Sequence, residues 1–250
     1  MYALVTGASS GIGREIARLL AARKYDLIIV ARRIAELNEL KLELEAAYGV
    51  DVVVKAIDLS NRDNCVRLHG ECAAYDPKIV VNDAGFGRVG PFADHDLAGD
   101  LAMIDTNVVG LHVLTKLFAQ SMGEGRILNV ASMAGFLPTP LLSSYAATKA
   151  YVFALGTAVD YELRKAKKPI RVLTLCPGPV ETGFGAAAGA DQALRGMTAE
   201  RCARIAVRGL MKGRRVIIPG FTMKLTRFFL RFAPLSLILP ASYALQRTKK

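Results

Sequence analysis

Acidic side chains are in short supply in this sequence: 22 Asp and Glu stand against 33 Lys and Arg, a formal net charge of +11 over 250 residues. That excess selects for anionic partners, whether phosphorylated cofactors, acidic lipids or nucleic acid, without choosing among them. Cysteine and histidine are sparse as well. Cys65, Cys72, Cys176 and Cys202 form no CxxC pair, and His69, His95 and His112 are scattered, so the sequence offers neither a metal site nor a disulfide framework. Free thiols in a reducing, cytoplasmic setting are expected. The basic residues are dispersed apart from Arg32-Arg33, a cluster of Arg164, Lys165, Lys167 and Lys168, and the C-terminal end. With no zinc-finger spacing and no basic-aromatic repeat, no nucleic-acid partner is expected. No charged n-region precedes the first apolar run at residue 2, so no signal peptide is expected. No Pro/Gly/Ser linker divides the chain, which reads as a single domain over 1–250.

Apolar material is plentiful, at 52% of residues, enough for a substantial core. It is arranged as short continuous runs rather than alternating ones. The stretches 2–7, 25–32, 50–58, 77–85, 125–132, 170–178 and 214–220 read as seven strands buried on both faces, the signature of a parallel sheet. Helical spacing appears between them at 12–24, at 33–49 with Leu37, Leu40 and Leu44 on one stripe, and at 145–163. Strand-helix alternation predicts an α/β fold: a doubly wound, seven-stranded parallel sheet of the Rossmann type in three α/β/α layers, with right-handed crossovers.

The loop after the first strand, "TGASSGIG" (6–13), carries Gly7, Gly11 and Gly13. Small residues between a strand and a helix let backbone approach a pyrophosphate, and the free N–H groups of the helix start then point at its oxygens. Gly7, Ser9, Ser10, Gly11, Ile12 and Gly13 are therefore candidate cofactor contacts. At the end of the second strand, where an acid would hold the 2′-hydroxyl of NAD, stand Arg32 and Arg33, with no acid before Glu36. A guanidinium takes a 2′-phosphate in bidentate fashion, so NADP(H) is expected in preference to NAD(H).

Six motifs then come in order: "TGASSGIG" (6–13), "NDAG" (82–85), "TNVVG" (106–110), "NVAS" (129–132), "YAATK" (145–149) and "PGPVET" (177–182). Together they resemble the short-chain dehydrogenase/reductase family, in its compact branch of about 250 residues, over roughly residues 2 to 185. The resemblance implies a site of Asn107, Ser132, Tyr145 and Lys149. Tyr145 would be the acid-base group, Lys149 its tuning cation and ribose ligand, Ser132 the partner of the substrate oxygen, and Asn107 the holder of a water relay. Chemistry agrees: Tyr145 and Lys149, four apart on a helix, share a face, and a nearby ammonium together with the positive nicotinamide ring is expected to lower the phenol pKa. The resemblance also places Asp58 and Leu59 at the adenine, Asn82, Ala84 and Gly85 along the adenosine side, and Pro177, Gly178, Val180 and Thr182 around the nicotinamide. Where the family usually has a second asparagine, this chain has Asp83, which is nearly isosteric but lacks the amide donors.

Residues 183–200 are rich in Gly and Ala and are expected to form a substrate lid. Met133, Phe136, Leu137, Pro138 and Leu142 are expected to line an apolar pocket. The segment 222–250 mixes Arg and Lys with Phe and Leu. Arg231, Pro234 and Pro240 interrupt it, which argues against a transmembrane helix. Three readings stand: packing against its own or a partner subunit, an amphipathic contact with the inner face of a membrane, or disorder.

The expected function is reversible, NADP(H)-dependent hydride transfer to a ketone or from a secondary alcohol (EC 1.1.1.-) of apolar character. The family suggests a homodimer or homotetramer, built through the helices carrying Asn107 and Tyr145. The rival readings are a non-catalytic NADP(H)-binding module and a membrane-surface-associated regulatory protein. A sugar-nucleotide epimerase or dehydratase is disfavoured by length and glycine spacing.

Overall fold

The computed structural model describes residues 1–184, 188 and 196–247. Among these, strands β1 (Tyr2–Thr6), β2 (Asp26–Ala31), β3 (Val52–Ala56), β4 (Ile79–Asn82), β5 (Gly125–Val130) and β6 (Ile170–Leu175) are followed by a short pair, β7 (Val180–Glu181) and β8 (Met197–Thr198), and by β9 (Val216–Ile217). Seven of them make one parallel sheet in the order β3-β2-β1-β4-β5-β6-β9. The predicted seven-stranded, doubly wound sheet is therefore observed. Its last strand is shorter than the 214–220 run suggests. The β7–β8 pair is separate and parallel, and the sequence reading did not anticipate it.

Both sheet faces are apolar because neighbouring residues of one strand point to opposite sides. Ala3, Val5, Leu27 and Ile29 pack with α1 (Gly11–Ala21) and α2 (Ile34–Tyr48) on one face, together with a helix at Ala199–Met211. Leu4, Ile28, Val80 and Ile127 pack with α3 (Arg62–Cys72) on the other, together with helical residues Leu114 and Phe118. The latter belong to a continuous helix of 25 residues from Leu97 to Ser121, made of α4 (Leu97–Ile104), a π-helical turn (Asp105–Gly110) and α5 (Leu111–Ser121). By length and composition it could cross a membrane. Here it packs on α3 and on α6 (Ser143–Lys165), as a core-layer helix does. Helices α7 (Ala199–Met211), α8 (Phe221–Leu230) and α9 (Leu235–Arg247) complete the described chain.

A polar rung crosses the sheet just inside its carboxyl edge. Thr6, Asn82, Asn129 and Thr174 are consecutive register partners on β1, β4, β5 and β6, and all are buried. Asn82 Nδ2 donates to Asn129 Oδ1 at 2.9 Å and to Thr115 Oγ1 at 3.2 Å. Thr6 Oγ1 accepts from the backbone N–H groups of Asp83 and Ala84 at 3.1 and 3.2 Å. The rung thus ties the interior of the sheet to the loop that lines the crevice above it.

At the other end of α6, fully buried Asp160 accepts from Arg171 Nε at 2.7 Å, from Arg215 Nε at 2.8 Å and from the Val172 N–H at 3.3 Å. It joins α6 to β6 and to the residue before β9. Burial by itself would raise the carboxyl pKa, but the hydrogen bonds from the two arginines outweigh it and hold the group below its ordinary value. Asp160→Ala should therefore lower stability. Both arginines remain about one-third exposed, so the expected loss is about 2–3 kcal/mol, below the ~3–5 kcal/mol for breaking a fully buried pair. Thermal unfolding should show a melting point roughly 5–10 °C lower. The difference between variant and parent should persist at neutral pH and shrink as the pH falls below about 4, where the carboxylate protonates.

Candidate active site

The glycine turn meets the 83–85 loop backbone to backbone. Gly7 has φ +72°, and a Cβ there would lie 2.9 Å from the Ala84 N; a Cβ on Gly13 would lie 2.6 Å from the Gly7 carbonyl oxygen. Gly11, at φ +58°, faces the Thr182 methyl, 3.2 Å from where its own Cβ would be. Ser10 stands before α1 with extended backbone and a side chain that makes no capping hydrogen bond, and the first turn holds no acid. A glycine concavity at the electropositive start of a helix fits a pyrophosphate. Ser9 is buried, and Ile12 packs from the loop into the core.

At the end of β2, Arg33 Nη2 donates to Ser9 Oγ at 3.1 Å, and its Nη1 pairs with Glu36 at 3.1 Å. Arg32 beside it is exposed. Asp58, after β3, is exposed and accepts from the Ser60 N–H at 3.0 Å, while Leu59 is buried. Asn82 departs from its expected place along the adenosine: its amide lies in the buried rung. Ala84 and Gly85 do border the crevice, Ala84 against Gly7.

Tyr145 and Lys149 lie on α6, one turn apart and both buried. Lys149 Nζ donates to the Val130 carbonyl oxygen at 2.9 Å and sits 5.6 Å from the Tyr145 ring centroid. Ser132, just past β5, caps a short turn by accepting from the Ala134 N–H at 3.1 Å, and its hydroxyl also hydrogen-bonds Tyr145. Asn107 occupies the π-helical turn. Its amide brackets Phe86, accepting from the N–H at 3.0 Å and donating to the carbonyl oxygen at 2.8 Å, and reaches Thr148 Oγ1 at 3.2 Å. Asn107 Oδ1 and Lys149 Nζ flank Gly85, whose Cβ would lie 2.7 and 3.5 Å from them. Four residues spread over 43 positions of sequence thus gather at one edge of the sheet.

The protein's own groups shift the phenol upward. Burial pushes Tyr145 up to about 12; the Ser132 hydroxyl opposes this, and Asp83 adds to it. The side chains around it therefore keep the phenol protonated at neutral pH. Burial pulls Lys149 down to about 8, opposed by Asp83 and Cys176. Asp83 is raised to about 7 by burial, against the pull of Lys149 and of the Gly13 N–H. The one departure from the motif is thus electrostatically joined to both ionisable groups of the site.

After β6, Pro177 accepts from the Met133 N–H at 2.8 Å, and Gly178 packs on Met223. Val180 is in β7, and Thr182 Oγ1 accepts from the Phe184 N–H at 3.2 Å. The Phe184 ring lies 5.2 Å from that of Tyr145. A Cβ on Gly87 would meet both rings, so glycine is what admits them. Of the expected pocket walls, Leu142 packs with Tyr145, Met103, Phe86, Val89 and Phe184. Met133 and Phe136 belong instead to a cluster reaching Ile218 and Met223, and Pro138 is exposed. Phe86, Gly87 and Met103 were missed; the "FG" directly after "NDAG" is a sequence signal for the first two, and Met103, in α4, has none. Of the expected lid, residues 185–187 and 189–195 lie outside the described residues. A cavity of about 700 Å³ opens on the outer side of α6, lined by Ile104, Val108, Ala147 and Tyr151 among others.

Fold and site together define a dinucleotide-binding α/β oxidoreductase. The short chain dehydrogenase family model matches residues 1–193. Dehydrogenase/reductase SDR family member 11 of Gallus gallus is 35% identical over 192 residues, covering 73% of this chain and 75% of that protein. A Sphingobium yanoikuyae short-chain dehydrogenase solved in complex with NADPH is 30% identical, with a TM-score of 0.85 over 95% of this chain and 94% of that one. The bulky-bulky ketone specific alcohol dehydrogenase of Comamonas testosteroni is 26% identical, with a TM-score of 0.78 over 93% and 94%. The chain belongs to the short-chain dehydrogenase/reductase family, whose cofactor is a nicotinamide dinucleotide.

Gly13→Ala should weaken NADPH binding by about tenfold or more, because the added methyl cannot fit without opening the turn (tenfold is ~1.4 kcal/mol). Gly70→Ala, in α3 with open space around it, should leave binding unchanged and stabilise by about 0.4–1 kcal/mol. Fluorescence titration with NADPH, paired with thermal melts, checks both.

Proposed function

We propose that this protein is an NADP(H)-dependent oxidoreductase that interconverts apolar ketones and secondary alcohols, acting on CH–OH groups (EC 1.1.1.-). The observation that carries the reading is the convergence of the Ser132 hydroxyl, the Tyr145 phenol and the Lys149 ammonium beside a glycine cradle shaped for a pyrophosphate.

The glycine turn and the start of α1 hold the pyrophosphate; Asp58 and Leu59 border the adenine; Lys149 reaches the nicotinamide ribose; Pro177, Gly178, Val180 and Thr182 seat the ring. Arg32 and Arg33 take a 2′-phosphate, supported by the lack of an acid at the end of β2 and by the NADPH bound to the Sphingobium relative. The bound dinucleotide supplies or accepts the hydride.

In the reductive direction Tyr145 gives its proton to the carbonyl oxygen. Its raised pKa keeps that proton in place at neutral pH. Ser132 donates a hydrogen bond to the same oxygen as charge develops on it. Lys149, still mostly protonated below its pKa of about 8, stabilises the phenolate left behind. Asn107 fixes Phe86 and stands across Gly85 from Lys149, a position suited to holding a relay water. The apolar substrate is supported by the Met103, Leu142, Phe86 and Phe184 side chains packed around Tyr145 and by the ketone specificity of the Comamonas relative. A purely cofactor-sensing protein would have no use for this constellation. Exposed Leu97, Leu101, Ile104 and Tyr151 on α4 and α6 suit contact with a second copy, in a homodimer or homotetramer.

A ketone panel followed by NADPH absorbance tests the reaction. Tyr145→Phe should lower turnover by about 10²–10⁴-fold with NADPH affinity nearly unchanged; unchanged turnover would remove Tyr145 from the mechanism. The double substitution Arg32→Ala, Arg33→Ala should raise the KM for NADPH about tenfold or more and leave that for NADH unaltered. Equal or better use of NADH by the parent protein would overturn the cofactor assignment.

A further inference from the structure

The C-terminal helices are amphipathic in the wrong sense for a water-soluble surface. α9 buries Ser242 and Gln246, at 8% and 7% exposure, while Leu235, Leu237, Leu239 and Tyr243 face outward, Leu237 at 66%. Gln246 Oε1 is buried without a hydrogen-bond partner among the described residues. α8 and the turn after it repeat the inversion. The inner side carries Met223 on Gly178 and the Arg227 guanidinium over the Phe136 and Phe153 rings, at 4.7 and 5.4 Å. The outer side carries Phe221 at 79%, Phe228, Phe229 and Phe232 at 72%. Phe228 sits 5.6 Å from Phe229 and 5.5 Å from Phe232, so the rings form one cluster. A surface helix normally turns its apolar side to the core, and a contiguous exposed apolar patch marks an interaction surface.

Positive charge is concentrated towards this end of the chain, with Lys224, Arg227, Arg231 and Arg247 on or beside α8 and α9. Twelve of the 33 Lys and Arg follow Glu200 and none of the 22 Asp and Glu do, leaving 21 basic against 22 acidic side chains in residues 1–200. The whole +11 therefore belongs to the last fifth of the chain. Lys224, Arg227 and Arg231 line a cavity of about 300 Å³ with Val216, Ile218 and Phe228, and no acid is among its walls.

We propose that α8 and α9 dock this protein on the surface of an anionic lipid bilayer, the Phe and Leu side chains entering the headgroup–acyl boundary and the exposed Lys224 and Arg231 receiving lipid phosphates. Apolar and cationic groups on one surface are the two components of such binding. The charge selects lipid over a second copy: a two-fold contact would set this acid-free surface against itself, whereas an anionic bilayer neutralises it. Length selects lying on the bilayer over crossing it. α9 has 13 residues with Pro240 inside, about 20 Å at 1.5 Å per residue, against a hydrocarbon core of ~30 Å. The proposal does not depend on the reaction assigned above.

Co-sedimentation of the full chain with vesicles tests it. Vesicles of phosphatidylcholine with phosphatidylglycerol should retain the protein at least about tenfold better than phosphatidylcholine alone, with the difference reduced in high salt. The triple substitution Phe228→Ser, Phe229→Ser, Phe232→Ser, all at exposed positions, and separately Lys224→Glu with Arg231→Glu, should each abolish that retention without changing the oligomeric mass. No retention on either vesicle, or equal retention on both, overturns the proposal. So does a triple variant that still binds vesicles but changes oligomeric mass, which would assign the surface to a second copy.

Discussion

The crevice exists because two loops touch through bare backbone. A methyl on Gly7 would meet the Ala84 N at 2.9 Å, and one on Gly13 would meet the Gly7 carbonyl oxygen at 2.6 Å and the Asp83 carboxylate at 2.8 Å. That approach is held from below by Thr6, whose hydroxyl binds two successive N–H groups of the opposing loop, and by the buried Asn82–Asn129–Thr115 bonds beside it. Everything placed relative to the dinucleotide depends on this junction: the start of α1, the Gly85 contact with Asn107 and Lys149, and Thr182 closing over Gly11. A buried polar row inside a parallel sheet is costly unless its members satisfy one another. Here Asn82, Asn129 and Thr115 bond one another, while Asn82 Oδ1, Asn129 Nδ2 and Thr174 Oγ1 are buried without a hydrogen-bond partner among the described residues.

The parts of the structure legible in the sequence were those with a distinct physical period or a backbone requirement. Continuous Val/Ile/Leu runs announced strands buried on both faces, and positive-φ glycines announced the turn. Tyr145 and Lys149 were marked by the ordered motifs that resemble the short-chain dehydrogenase/reductase family, and their helical spacing agreed. What the sequence reading missed depends on tertiary contact. The π-helical turn that presents Asn107 has no composition signature, since "DTNVVG" would suit an ordinary helix. The family resemblance put Asn82 along the adenosine, yet its register opposite Thr6 and Asn129 puts its amide inside the sheet. The phenol's pKa was expected to fall beside an ammonium and the positive nicotinamide ring; among the protein's own groups burial dominates, and Lys149 spends a hydrogen bond on Val130. The outward phenylalanines of α8 were visible as residues; their orientation was not, because it depends on Arg227 taking the inner position over Phe136 and Phe153.

The site is electrostatically compact. Asp83 is the shared partner: its charge acts on Lys149 and on Tyr145, and Lys149 acts back on it. An asparagine at position 83 would remove that link and leave Lys149 to its burial and to Cys176, and Tyr145 to its burial and to Ser132. In its ionised form the aspartate favours the ammonium and disfavours the phenolate.

The phenyl ring of Phe184 against Tyr145, admitted by the missing side chain at Gly87, bears on selectivity. On the reaction proposed above, a carbonyl compound would have to replace an aromatic neighbour that Tyr145 already possesses. Small hydrated molecules would bring too little dispersion and too little dewetting to compensate for uncovering that ring, whereas a broad, greasy one would substitute for it. Discrimination by bulk would then begin at Tyr145 itself, ahead of any wall of the cavity.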